Sequence, residues 1–264
     1  MNKVIILGSG AAPGVPTITK GWGKCNPLNP KNRRSRAGIY VEIDNNKLLI
    51  DTSADLRNQL LENAITQIDA VLYTHIHADH VMGIDDLRSF GYHKRDKEKS
   101  LPIYLQEEHL SEIYHRFDYV LPGEKHSEIT NHPLLKPNII EYGKTFAIGQ
   151  TEIMPLEFAG HPVITTGFSF NQGKLVIIPD YKIIPQNTLS YLQKINVDVL
   201  IMPLTVLEEA SYHADMNINL KYIEIIKPKR VFFTHMGPEC DYDEVLKNTP
   251  SYIKPAYDNM IIEL

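Results

Sequence analysis

The chain has 264 residues, 43% of them hydrophobic and 22% charged, enough apolar material to bury a sizeable core as one large domain or two small ones. A net charge of −5 and a pI near 6.1 argue against a nucleic-acid-binding face, the only dense basic run being Lys31, Arg33, Arg34 and Arg36. Cys25 and Cys240, the only cysteines, do not suggest a disulfide scaffold and fit a reducing compartment, and neither a signal peptide nor a membrane span is long enough in the apolar runs, so a cytoplasmic protein is expected.

Short β-rich runs come first, with strands predicted at 4–7, 39–43 and 47–50. Asp55 then precedes a helix whose Leu56, Leu60 and Leu61 are spaced for one apolar face. Strands follow at 70–73 and 103–105, a helix at 107–116, and strands at 151–158, 167–170 and 175–178. A helix at 187–195, a strand at 199–202, a helix at 216–226 and strands at 231–234 and 260–263 complete the pattern. Residues 93–100 and 122–137 read as surface loops, the second for its three prolines. Helices intervene irregularly, which predicts an α/β fold with mainly antiparallel pairs in one domain, 1–264.

The chemistry concentrates in His75-Ile76-His77-Ala78-Asp79-His80, at the end of an apolar strand. Three imidazoles and a carboxylate within six residues form a donor set suited to zinc, manganese, iron or nickel. In an extended turn His75 and His77 point the same way and share one ion, while Asp79 and His80, entering a helix, face a second. His161, Asp180 and His235 each stand where a predicted strand stops, and sites of α/β proteins gather at such ends. Asp51, also after a strand, is a candidate partner for a ligand histidine. The other histidines, at 93, 109, 115, 126 and 132, read as surface.

These motifs, together with Leu7-Gly8-Ser9-Gly10, Trp22-Gly23-Lys24-Cys25-Asn26-Pro27, Ile50-Asp51-Thr52-Ser53, Gly83-Ile84-Asp85-Asp86 and Pro255-Ala256-Tyr257-Asp258, resemble the metallo-β-lactamase superfamily of hydrolases. The resemblance covers nearly the whole chain and is nearest to the branch containing the phosphoribosyl cyclic phosphate phosphodiesterase. It implies a four-layer αββα sandwich with the site at one edge. It also implies that His75, His77 and His161 hold one metal, Asp79, His80 and His235 the other, and that Asp180 bridges both. An ungapped count back from Thr234-His235-Met236 puts His213 at the branch's proton donor and Asp215 at a helix N-cap, while Ala210 replaces the first histidine of that segment. Asp79 and His213 are thus the expected catalytic residues. The phosphodiesterase of that branch carries a structural zinc on clustered cysteines near its N-terminus, of which only Cys25 has a counterpart here, so no structural zinc is expected.

Two divalent ions, zinc or manganese, held about 3.5–4 Å apart would supply a shared hydroxide able to attack an electrophilic centre. A small or cyclic phosphodiester is the expected substrate; a thioester or lactone suits the same metals, and a metal-binding accessory protein of cofactor biosynthesis is the reading without turnover. No inserted basic arm for RNA is evident, and no nucleic-acid or membrane partner is expected; the oligomeric state is left open, a homodimer included. Arg33, Arg34, Arg36 and Arg88 are the cations available to a phosphate, with carboxylate pairing the commoner use of such residues.

Overall fold

The computed structural model describes residues 2–92, 100–121 and 134–264. Six strands of the first half and one from the C-terminus form one sheet: β1 (Lys3–Gly8), β2 (Gly38–Ile43), β3 (Asn46–Ile50), β4 (Ala70–Leu72), β5 (Leu101–Leu105) and β6 (Leu135–Ile139), with β14 beside β1. The second sheet holds β7 (Phe146–Ile148), β8 (Thr151–Phe158), β9 (Thr165–Phe170), β10 (Leu175–Ile177), β11 (Val199–Pro203), β12 (Arg230–Thr234) and β13 (Ile253–Pro255); β14 is Met260–Glu263. The helices are α1 (Leu56–Glu62), α2 (Ala78–Val81), α3 (Arg88–Tyr92), α4 (Glu107–Phe117), α5 (Gln186–Lys194), α6 (Met216–Ile226) and α7 (Tyr242–Lys247). None is long and apolar enough to cross a membrane.

The four layers follow from the period of two along each strand. In β1, Val4 and Ile6 face the second sheet, while Ile5 and Leu7 pack outward with Leu56, Leu60, Ile113 and Phe117 of α1 and α4. In β11, Val199 and Ile201 join that inter-sheet core, and Leu200 and Met202 pack outward with Leu192, Ile223 and Ile226 of α5 and α6. Strands buried on both faces read as continuous apolar runs, which is why they stand out in the sequence. Each fully buried aliphatic side chain contributes about 1.5–3 kcal/mol against about 0–1 for a partly exposed surface ion pair such as Lys3–Glu42, so the layers rest on alternation and not on charge.

The sheets are not mainly antiparallel. In each, three antiparallel pairings run into three parallel ones: β14-β1-β2-β3 then β3-β4-β5-β6, and β7-β8-β9-β10 then β10-β11-β12-β13. The parallel halves are helical crossovers, so the C-terminal ends of β3, β4, β10, β11 and β12 lie on one edge of the molecule. The predicted loop 93–100 lies almost wholly outside the described residues, and 122–133 of the second lies wholly outside them; its residues 135–137 belong to strand β6. Pro137 is tolerated there because β6 is an edge strand, one side of which needs no donor.

Candidate metal centre

Every ligand expected from the sequence arrives at that edge. His75 follows β4, Asp180 follows β10, His235 follows β12, and His161 sits in the turn between β8 and β9. Asp79 and His80 ride on the single turn of α2, which packs on the segment after β3: Thr52 N–H donates to His80 O at 2.7 Å and Gly83 N–H to Thr52 O at 3.0 Å. Gly83 is needed for that approach, since a Cβ there would lie 2.0 Å from Ser53 O. Asp51 and His235 hold positive φ angles of 62° and 52°, backbone strain of the kind that collects at functional sites.

Two clusters result. His77 Nδ1 lies 3.1 Å from His75 Nε2 and 2.9 Å from His161 Nε2, and its one proton or lone pair cannot satisfy both. Asp79 Oδ2 lies 3.2 Å from His235 Nε2 and 3.3 Å from His80 Nε2, while Asp180 Oδ2 stands 3.8 Å from His80 Nε2. His80 Nε2 and Asp180 Oδ1 are buried without a hydrogen-bond partner; His235 Nδ1 comes within 3.2 Å of Asp180 Oδ1 but outside bonding geometry. Converging lone pairs and orphaned buried atoms of this hardness are the donor chemistry of a divalent-metal site, and the residues fit it.

Charge points the same way. Burial keeps His75 and His77 neutral and lowers His161 to about 4, so all three offer lone pairs. Burial disfavours charge on Asp79 and Asp180 too, but the histidines facing them, His235 and His80 first, outweigh it and hold both carboxyls ionised. Burial likewise opposes a charged His80, yet Asp51, Asp180 and Asp79 together raise it well above its ordinary value. The pocket calls for a cation, which a proton on His80 or a divalent ion supplies; binding the ion releases the proton.

Outer partners fix which nitrogen each histidine presents. Thr74 Oγ1 donates to Asp51 Oδ2 at 2.7 Å, so it accepts from His75 Nδ1 at 2.9 Å and leaves His75 Nε2 as a lone pair. Asp51 Oδ2 accepts from His80 Nδ1 at 2.7 Å, and Tyr212 O from His161 Nδ1 at 3.1 Å, with the same consequence. Asp51 thus has the place the sequence suggested. Helix α4 braces two ligand loops at once: Arg116 Nη1 donates to Ile76 O at 2.7 Å and His109 Nε2 to Ile164 O at 3.2 Å. His109, expected at the surface, is buried on the apolar face of α4; His115 is exposed, and His93, His126 and His132 lie outside the described residues. Thr74 stands beside the motif and was open to reading; Arg116 and His109 sit in ordinary helical text with no local signal.

His213 reaches the centre. Its ring is 4.9 Å from that of His161 and 6.0 Å from that of His235, and burial lowers its pKa, so at neutral pH it is uncharged. Asp215 caps α6, accepting from Ile218 N at 3.0 Å, and Ala210 offers its carbonyl to Lys182 Nζ at 2.7 Å. Of the arginines, Arg36 pairs with Asp55 at 3.0 Å, Arg88 with Asp85 at 3.3 Å, and Arg33 lies over Trp22 at 5.4 Å. Arg34 is buried, donating to Cys240 O at 2.7 Å, Asn32 Oδ1 at 3.1 Å and Gly237 O at 3.3 Å, with Cys25 Sγ at 3.8 Å. Its guanidinium ties the loop after β1 to the loop after β12.

A family model described as a β-lactamase superfamily domain matches residues 46–236. A crystal structure of a diphosphatase from the PhnP family is 26% identical, with a TM-score of 0.86, over 100% of this chain and 98% of that one. An octanoyltransferase of Porphyromonas gingivalis is 28% identical over 262 residues, 98% of this chain but 51% of its own, so the chain spans about half the length of that relative. Zinc-bound PqqB from Methylobacterium extorquens shares the fold at a TM-score of 0.72 and 20% identity, over 99% of this chain and 100% of its own.

Proposed function

The chain belongs to the metallo-β-lactamase superfamily, and we propose that it is a metal-dependent phosphoric diester hydrolase acting on a small or cyclic phosphodiester. The observation that carries this reading is the pairing of the two donor clusters with an uncharged His213 beside them. His75, His77 and His161 would hold one divalent ion, Asp79, His80 and His235 the other, and Asp180 both; zinc and manganese suit these donors. When bound, such a pair supplies an activated water and positive charge for the non-bridging oxygens of the phosphate. The protein's own part is to hold the donors in place through Asp51, Thr74 and Tyr212, and to offer His213 as a hydrogen-bond donor to the departing oxygen.

Similarity along the full chain to a PhnP-family diphosphatase favours phosphorus as the electrophile. The match to half of an octanoyltransferase favours a second reading, hydrolysis of an acyl ester or thioester. Metal-loaded protein assayed on bis-p-nitrophenyl phosphate, p-nitrophenyl phosphate and an octanoyl thioester separates them. The diester is expected to turn over faster than the monoester, whose extra negative charge makes it a poorer electrophile. A thioester consumed far faster than any diester would replace the first reading with the second.

A further inference from the structure

Thr205 follows β11 and places its hydroxyl between two histidines, 3.1 Å from His235 Nδ1 and 3.3 Å from His213 Nδ1. We propose that Thr205 is a positioning residue that locks His213 in the tautomer with its proton on Nε2, and so makes it a donor to substrate instead of a further metal ligand. The inference rests on the reading of His235 as a ligand.

A hydroxyl has one hydrogen and two lone pairs. His235 presents Nε2 to Asp79 Oδ2 at 3.2 Å, the side on which a metal would sit, so its Nδ1 carries the proton and must donate. Asp180 Oδ1 is near enough to accept but poorly aligned, whereas Thr205 Oγ1 is aligned. With one lone pair of Thr205 occupied, its own hydrogen has His213 Nδ1 as the acceptor at hand among the described residues. That bond requires a lone pair on His213 Nδ1, and in an uncharged imidazole the proton then lies on Nε2.

The consequence is chemical. His161, Asp180 and His213 each bring a donor atom within 4.8 Å of the others, so a free ring lone pair on His213 would make a further metal-binding group. With the Nδ1 lone pair taken up by Thr205 and hydrogen on Nε2, the ring has no lone pair left for an ion and offers a donor at Nε2. This is the reverse of the arrangement at His75, His80 and His161, where an acceptor at Nδ1 frees Nε2. One threonine therefore gives two histidines opposite duties: a ligand's tautomer for His235 and a donor's for His213.

The test compares the zinc-loaded wild-type chain with Thr205→Val, which keeps the shape without the hydroxyl, and Thr205→Ser, which keeps the hydroxyl. Long-range proton–nitrogen correlation on ¹⁵N-histidine protein reads each tautomer directly. Expected is His213 protonated on Nε2 in wild type and Ser variant, and a loss of that single tautomer in the Val variant. At saturating zinc the Val variant should still load two ions per chain, with its affinity lowered because His235 Nδ1 has lost its acceptor; kcat on an alkyl diester should fall about 10-fold or more, KM change little, and Ser restore turnover. A wild-type His213 protonated on Nδ1, or a Val variant with unaltered tautomer, would each overturn the proposal. A tautomer that follows Thr205 while His213→Ala leaves turnover intact would instead sink the donor role under Proposed function and leave the link between Thr205 and His213 standing.

Discussion

Replacing His77 with alanine is expected to cost the protein one of two bound metal ions and nearly all of its activity. His77 Nδ1 is the nitrogen that both His75 Nε2 and His161 Nε2 approach, at 3.1 and 2.9 Å, so its removal takes the central imidazole from that cluster and leaves the ion with two imidazoles and a carboxylate shared with the other site. Asp51→Asn is the graded control. It retains all of the nitrogen ligands but weakens the acceptor that orients His80 and, through Thr74, His75. Loss of a partner of this kind lowers metal affinity or activity by about 10–100-fold. Metal content by mass spectrometry and diester turnover, measured on the same preparations, check both. Full occupancy and activity in His77→Ala would end the assignment of the first cluster.

His213→Ala is expected to keep both metals and to discriminate between leaving groups. A donor aimed at the departing oxygen is worth most where charge on that oxygen is greatest. An alkyl alkoxide needs the help, and p-nitrophenolate, far less basic, hardly does. Turnover of an alkyl or cyclic diester should fall by about 10²-fold or more, and that of a p-nitrophenyl diester only slightly. Equal losses on both would point to substrate binding or metal positioning. No loss on either would make the histidine a bystander ahead of α6.

What was legible in the sequence follows from how each feature is held in place. The internal strands announced themselves because both faces are buried, and Met216–Ile226 came out to the residue because Asp215 caps it. Three strands went unseen, β6, β7 and β13, and all three are sheet edges. Edges tolerate Pro137 and Pro255 and expose one side, so the apolar run that marks an inner strand is diluted. The expectation of mainly antiparallel pairing failed because pairing direction is set by which crossovers carry helices, and the short turn of α2 and the edge strands hid several of them. At the site, the compact run at 75–80 was readable because its donors are neighbours in sequence, and His161, Asp180 and His235 because each follows a strand. Thr205 and Arg116 were not, since a threonine after one strand gains meaning only when the fold sets His213 and His235 on either side of it. His109 was misread because a histidine in polar helical text looks exposed until a loop carbonyl, that of Ile164, arrives to meet it.

The most direct measurement is a titration of chelator-stripped protein with zinc or manganese, followed at once by calorimetry and by hydrolysis of a diester. Binding should saturate at two ions per chain, with proton release as His80 gives up its charge to the metal. Activity should be nearly absent before the titration and rise as the second cluster fills. Undiminished turnover in metal-free protein, or full activity at one ion per chain with no second binding event, would contradict a dinuclear hydrolase built on these seven side chains.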